Sequence, residues 1–269
     1  MKKVAFTLLA AGVLAFVLLH VLVRPSNDRD WTVDNSRLPH AEFRGPLVTV
    51  RNVRNFSYET DSVYTPAWYG KTFDLRRLDS VWFIVEPFSE WDGPAHTFVS
   101  FGFGDEFVAI SVEIRKEKAE SFSPWRGLAR QYELLYVVGD ERDLVKLRSN
   151  YRKDDVYLYP VRTTPERMRR MFVDMLTRAN AVAAKPEFYN TLTNTCTTNI
   201  VRHANTVVPE RIPWSTAILL PGKSDRFAYD LGLIDTDVPV EALRKRYRIN
   251  ELAERYANDP RFSLRIRGR

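Results

Sequence analysis

The sequence predicts an α+β fold, because strand signals dominate the first part of the chain and helix signals the second. Up to about residue 161, short runs rich in β-branched and aromatic residues alternate with turn residues. Beyond residue 163, apolar residues recur every three or four positions, as in amphipathic helices. Elements segregated in this way are expected to form an antiparallel sheet packed against helices.

The composition is that of an ordinary globular protein, with 45% hydrophobic and 28% charged residues among 269. The net charge of +6 suits an anionic membrane surface. Nucleic acid is not expected as a partner, because no nucleic-acid-binding motif is present. The motifs HExxH, GxSxG, GxGxxG and the P-loop are absent too, so neither a metal nor a cofactor is expected.

The N-terminus predicts a membrane anchor. Residues 4–23 are nearly all apolar and are long enough to cross a bilayer, and they follow the basic tip Lys2-Lys3. The basic tip favours a cytoplasmic N-terminus, which places the main domain outside the cytoplasm. Cleavage near Arg24 would leave that domain in the same compartment. We therefore expect an anchor over residues 1–24, a linker over 25–44 and one domain over 45–269.

Seven strands are predicted, at residues 46–50, 56–58, 81–85, 96–101, 107–112, 132–138 and 156–161. A Gly104-Asp105 turn joins the fourth and fifth strands into a hairpin, in which the numbers of facing residues sum to about 209. His96 then faces Glu113 on the same side of the hairpin. A bulge would bring Ser111 there instead.

Three helical regions are predicted. Residues 163–166 form a capping box for a helix that ends before Pro186. A second helix begins near Cys196, with Asn194 or Thr195 as its cap, and ends at Pro209. A third region covers residues 240–257.

Cys196 is the only cysteine, so it cannot form an internal disulfide or a CxxC motif. At a helix start, the dipole favours a thiolate, and the free amides could stabilise an oxyanion. Elimination selects the base among four histidines. His20 lies in the anchor, His40 in the linker, and His203 about 10 Å further along the same helix. His96 remains as the candidate base, and Glu113 as the group that orients it.

Three neighbours of Cys196, namely Asn194, Thr195 and Thr197, are candidates for substrate binding or for the oxyanion site. The same chain also permits less specific interpretations. A lone cysteine is often a buried structural residue. Zinc bound by His96, Glu113 and Cys196 lacks the spacing of a metal site, so no metal ligand is expected.

Several segments resemble the Lnb N-terminal periplasmic domain family, formerly a domain of unknown function. They are residues 95–101, 109–117, 130–134, 139–143, 189–192 and 196–199, and the likeness extends over about residues 45 to 265. The segments Arg-Gln-Tyr-Glu-Leu and Cys-Thr-Thr-Asn are the most specific. One departure is that Thr195 precedes the cysteine where family members often carry Asn.

The resemblance implies a permuted papain-like fold with histidine before cysteine, similar to NlpC-type and lecithin:retinol acyltransferase-like enzymes. It implies a single-pass inner-membrane protein whose main domain is periplasmic. It also implies transfer of an acyl chain from a phospholipid to a lipoprotein amine or to water, with Cys196 as the acyl acceptor, His96 as the base and Glu113 as the orienting residue.

Two other functions stay open. One is an NlpC-type amidase or peptidase acting on cell-wall peptide, which needs an open polar groove where an acyltransferase needs an apolar tunnel. Trp68, Trp82 and Trp125 are candidates for lining such a tunnel, although aromatic residues more often fill a core. The other is a non-catalytic, membrane-tethered binding module with a buried, inert thiol. The oligomeric state cannot be read from the sequence.

Overall fold

The computed structural model describes residues 4, 6, 7, 10, 12, 23–88 and 93–269. Most of the predicted anchor over residues 1–24 lies outside the described residues. In the part of the chain that is described, no helix is both long and apolar enough to span a bilayer.

A mixed sheet forms the centre of the described fold. Its order is β1-β2-β9-β8-β7-β6-β10, with β5 paired to β2, and β3 and β4 form a separate hairpin. Neighbouring strands are antiparallel except β2 and β9. The strands are β1 His40–Arg44, β2 Leu47–Arg54, β3 Ser57–Tyr58, β4 Tyr64–Thr65, β5 Trp68–Asp74, β6 Ser80–Pro87, β7 Ala95–Phe103, β8 Glu106–Arg115, β9 Glu133–Gly139 and β10 Tyr157–Pro160.

The predicted hairpin register is confirmed. Phe98 faces Ser111 and Phe103 faces Glu106, so the paired numbers sum to 209 along the β7–β8 ladder. Gly104 makes the turn with a φ of +73°, which glycine adopts without strain.

Helices cover both faces of the sheet. They are α1 Pro124–Leu128, α2 Glu141–Lys146, α3 Pro165–Ala184, α4 Cys196–Asn205, α5 Thr216–Leu219, α6 Ser224–Asp230, α7 Val240–Tyr247, α8 Asn250–Arg255 and α9 Phe262–Arg265. A π-helical turn, Leu147–Arg152, continues α2. This arrangement confirms the α+β class, whereas the papain-like topology stays a prediction.

The two faces carry separate cores. On one face, Val99 and Phe101 of β7 pack with Phe172 of α3 and Ile200 of α4. On the other, Phe98 of β7 packs with residues of α2 and α9. Successive side chains of a strand point to opposite faces, so β7 contributes alternate residues to the two cores. We call them the α4 face and the α2 face.

Much of the segment over residues 25–44, which the sequence predicts to be a linker, is packed into the domain. Trp31 is buried beneath the Arg115 guanidinium, Thr32 bonds to the backbone of Lys116, and residues 40–44 form β1. The segment is polar in sequence because its contacts are mainly hydrogen bonds and one aromatic anchor.

Two helix boundaries also differ from expectation. The cap of α3 is Thr164, whose side chain accepts from the amide of Arg167, and not Thr163. The region over residues 240–257 is two helices. The helical conformation is interrupted at Arg248, and the amide of Ile249 bonds to the carbonyl of Val156. The first helix thus stops where the chain joins β10.

Candidate active site at the start of α4

Helix α4 begins at Cys196 because Thr195 caps it. The Thr195 hydroxyl accepts from the amide of Thr198 at 3.2 Å, and the Thr198 hydroxyl accepts from the amide of Thr195 at 2.7 Å. This reciprocal pair is a capping box. Of the two predicted caps, Asn194 and Thr195, the structure has Thr195. Among the described residues, the amides of Cys196 and Thr197 have no hydrogen-bond acceptor, so they are the candidate oxyanion donors.

The Cys196 thiol is free and 7% exposed. Its sulfur lies 3.7 Å from the hydroxyl of Thr197, which in turn lies 2.9 Å from the hydroxyl of Thr97 on β7. Tyr189 packs against the core that includes Cys196, and burial raises the pKa of its phenol. The thiol therefore sits between the start of α4, β7 and the segment that precedes the helix.

His96 points away from the thiol. Thr97, the next residue on β7, contacts Thr197 on the α4 face, so the His96 side chain projects to the α2 face. There it stacks on Phe98, with ring centroids 5.5 Å apart. The sheet thus separates the His96 imidazole from Cys196.

On the α2 face, His96 belongs to a buried polar cluster. Its Nε2 lies 2.7 Å from the Ser111 hydroxyl and 3.8 Å from a Glu113 carboxylate oxygen. Arg148 donates to Glu113 at 3.0 Å and to Glu86 at 2.7 Å. The structure brings His96 and Glu113 together, as the register predicts, but it makes Ser111 the nearest partner of the imidazole.

Burial, together with the charge of Arg148, keeps the imidazole neutral. Burial, reinforced by the charge of Arg148, lowers the pKa of His96 to about 3. Burial alone would raise the pKa of Glu113, but Arg148 outweighs it and holds that pKa well below its usual range. Burial raises the pKa of Glu86 to about 7 against the charge of Arg148. A base role for His96 toward Cys196 stays a prediction. In this role the imidazole would have to reach the thiol around the end of β7.

A second polar network, which the sequence reasoning missed, lies on the same face as the thiol. His203 Nδ1 is 2.6 Å from an Asp174 carboxylate oxygen, and its Nε2 is 2.7 Å from the Tyr136 hydroxyl. That hydroxyl donates to Asn199 at 3.3 Å. The sequence held a signal, because Asn199 and His203 follow Cys196 by three and seven positions and share its helix face.

This network ends at the cap of α4. Asn199 donates to the backbone of Thr195 at 2.8 Å and to the side chain of Asn194 at 2.9 Å. Asn194 itself donates to the carbonyl of Phe188 at 2.9 Å. Asn194 and Thr195 therefore shape the helix start, and Thr197, the third predicted binding residue, lines a cavity.

That cavity has a volume of about 660 Å³ and lies along α4. It begins at Thr197, beside the thiol, and its wall includes Ile200, Ala204, Met171 and Phe227. The volume falls in the range of sites that enclose small-molecule ligands. Within the described residues, no group of three or more histidine, cysteine or acidic side chains could hold a metal ion.

Comparison with known families decides the classification. The model of the Lnb N-terminal periplasmic domain matches residues 64–222, which is more than half of the chain. The chain belongs to this family. No curated protein and no solved structure matches the chain.

The Lnb domain match contains the candidate site and the cavity wall along α4. Residues His96, Glu113, Cys196 and His203 all lie within it. Strands β1 to β3 and helices α6 to α9 lie outside the matched Lnb region or at its margin, although they complete the sheet and the two cores. Membership of this periplasmic family places the main domain in the periplasm.

Proposed function

We propose that this chain is a membrane-anchored periplasmic thiol acyltransferase or hydrolase. The acyl chain comes from a phospholipid and passes through a Cys196 thioester to a lipoprotein amine or to water. One observation carries the proposal, namely the apolar cavity that starts at Thr197 and follows α4 away from the thiol. A cavity of this kind supports an acyl chain as the group that binds, since a peptide substrate would need an open polar groove.

The proposed chemistry has two steps. The Cys196 thiolate attacks the ester carbonyl carbon, a carbon–sulfur bond forms and the carbon–oxygen bond breaks. The released alcohol takes up the proton lost by the thiol. An amine or water then attacks the thioester, and the leaving thiolate recovers a proton. We expect the amides of Cys196 and Thr197 to donate to the oxyanion in both steps.

The apolar lining supplies binding free energy for a long chain. Each buried methylene contributes about 0.8 kcal/mol, so a chain that fills the cavity would be held far more tightly than a short one. The acyl group would lie against Ile200 and Met171, with its carbonyl carbon near Thr197.

The test is to incubate the full chain with phospholipid vesicles and to search for an acyl adduct by intact-mass spectrometry. We expect a hydroxylamine-sensitive adduct in the native chain and none in Cys196→Ser. Absence of an adduct from a thiol that alkylates readily would contradict acyl transfer and direct attention to cell-wall peptides.

A non-catalytic binding module is the second candidate, and one observation favours it. Cys196 is 7% exposed, and no histidine lies beside its thiol in the described residues. This alternative predicts that folded Cys196 resists alkylation and that Cys196→Ala keeps full function in cells. A thiol that forms the adduct above excludes it.

A further inference from the structure

The features that relate to membrane contact lie at one end of the sheet. There β7 begins, β8 ends at Arg115 and β9 begins at Glu133, its partner. Cys196 lies at the same end, because Thr197 contacts Thr97 near the start of β7. We call this the thiol end.

Three large apolar side chains are exposed at the thiol end. They are Phe122 at 55%, Trp125 at 79% and Leu192 at 52%, and we call them the apolar rim. The segments that carry them are packed together, since the Thr191 hydroxyl donates to the carbonyl of Pro124 at 2.8 Å. An exposed apolar cluster of this kind marks an interaction site.

The segments that carry the apolar rim pack together near the thiol. Gly127 of α1 lies so close to Thr191 that a Cβ there would clash with the Thr191 hydroxyl. Tyr189, on the same segment, bonds through its amide to Tyr132 and packs against the core that includes Cys196. A surface that contacts the rim is thus held at the same end of the sheet as the thiol.

The chain's own N-terminus indicates what covers the rim. The apolar residues 4–23 lead into a segment that attaches at the thiol end. The amide of Ser26 donates to Glu133 at 3.1 Å, and Arg29 pairs with Glu133 at 2.9 Å and with Glu117 at 3.0 Å. A bilayer that holds residues 4–23 would therefore lie next to the thiol end.

Charge on the rim suits the same surface. Arg126 and Arg130 both follow Trp125 in sequence, and neither forms an ion pair with a described residue. Tryptophan prefers the membrane interface, and each basic residue near an anionic surface adds attraction.

We propose that the apolar rim docks on an anionic phospholipid bilayer, the one entered by the N-terminal segment, and holds Cys196 at the level of the lipid headgroups. The acyl-transfer function explains why the thiol should face lipid, and the inference rests on it in that respect. Docking itself is a separate property, since a rim can bind lipid whether or not the thiol reacts.

Fluorescence quenching tests the docking. The full chain is reconstituted in vesicles of phosphatidylglycerol and phosphatidylethanolamine, with bromine on the acyl chains close to the headgroup. We expect quenching that is mostly lost in Trp125→Tyr and kept in Trp214→Tyr, since Trp214 is equally exposed but lies before α5. Quenching that is absent, or unchanged in Trp125→Tyr, overturns the proposal.

Acyl transfer gives the second readout. The double variant Phe122→Glu, Leu192→Glu should form the adduct from bilayer lipid roughly tenfold more slowly, because two apolar contacts with the membrane are lost. It should keep the native rate with a short-chain ester in solution. Val63→Glu is the matched control, since Val63 is as exposed as Leu192 but lies on the β3–β4 hairpin at the other end of the sheet.

The two readouts separate failure of docking from failure of the chemistry. If the short-chain ester also yields no adduct while Trp125 is quenched, docking stands and the proposed function fails. If the double variant reacts at the native rate with both bilayer lipid and the short-chain ester, docking is overturned and the proposed function stands.

Discussion

The hydroxyl oxygens of Thr97 and Thr197 lie 2.9 Å apart, and both residues are buried. This contact joins β7 to the second residue of α4. It determines that Thr97, and not His96, faces the helix that begins with Cys196. The two threonines thereby fix which face of the sheet lies beside the thiol.

Removal of either hydroxyl should destabilise the protein. We expect Thr97→Val and Thr197→Val each to lower the free energy of unfolding by about 1–2 kcal/mol, since a buried hydroxyl loses its partner. The double variant should cost little more than one single variant, because no unpaired hydroxyl remains. Urea unfolding measures all three. Additive losses would show that the two hydroxyls do not interact.

A matched control exists on the β2–β5 ladder. The hydroxyls of Thr49 and Thr72 lie 2.8 Å apart but face solvent. The same pair of valine substitutions there should change the stability by less than about 0.5 kcal/mol, because water replaces the lost partner.

Alkylation of Cys196 decides whether His96 acts on the thiol. In the described geometry the imidazole lies across the sheet, so His96→Gln should leave the rate of iodoacetamide alkylation within about twofold of the native rate. Intact-mass spectrometry follows the reaction, with Cys196→Ser as the blank. A tenfold slower reaction would instead support the base role predicted from the sequence.

Acid sensitivity should depend on His96. Its pKa is about 3 when folded, against an ordinary value of 6.5, so between these values the unfolded chain binds a proton that the folded chain does not. Stability is therefore complete above about pH 6.5 and falls as the pH decreases toward 3, by up to about 1.4 kcal/mol per pH unit.

The substitution His96→Gln should flatten this dependence between about pH 6 and 4. Burial lowers the pKa of His203 too, so part of the slope should persist. Urea unfolding at several pH values provides the measurement, and His40→Gln, on the exposed strand β1, is the control. An unaltered slope in His96→Gln would contradict burial of a neutral imidazole.

A larger side chain in the cavity wall should slow the reaction with long-chain acyl donors more than the reaction with short-chain donors. Ala204→Trp places a large ring in the cavity wall, so the rate with long-chain phospholipid should fall at least about tenfold while the rate with short-chain esters changes little. Ala181→Trp, at an exposed position of α3, is the control. Equal losses for long and short chains would indicate that the acyl chain binds elsewhere.

Local features were predictable because neighbouring residues determine them. The Gly104 turn sets the β7–β8 register, and the Thr195 cap sets the start of α4, through contacts only a few residues apart in sequence. Strand β1, which was not predicted from the sequence, depends instead on a contact between residues far apart in sequence. Asn180 of α3 holds Ala41 through both its backbone groups, a contact 139 residues distant in sequence.

The sequence by itself determined the α+β class, the family, the position of Cys196 at a helix start and the proximity of His96 to Glu113. Only the tertiary structure decided which face of the sheet each side chain occupies. Strand alternation places His96 and Thr97 on opposite faces, but the choice depends on which layer of helices packs against which core. That packing placed Thr97 against α4 and His96 against Ser111 and Phe98.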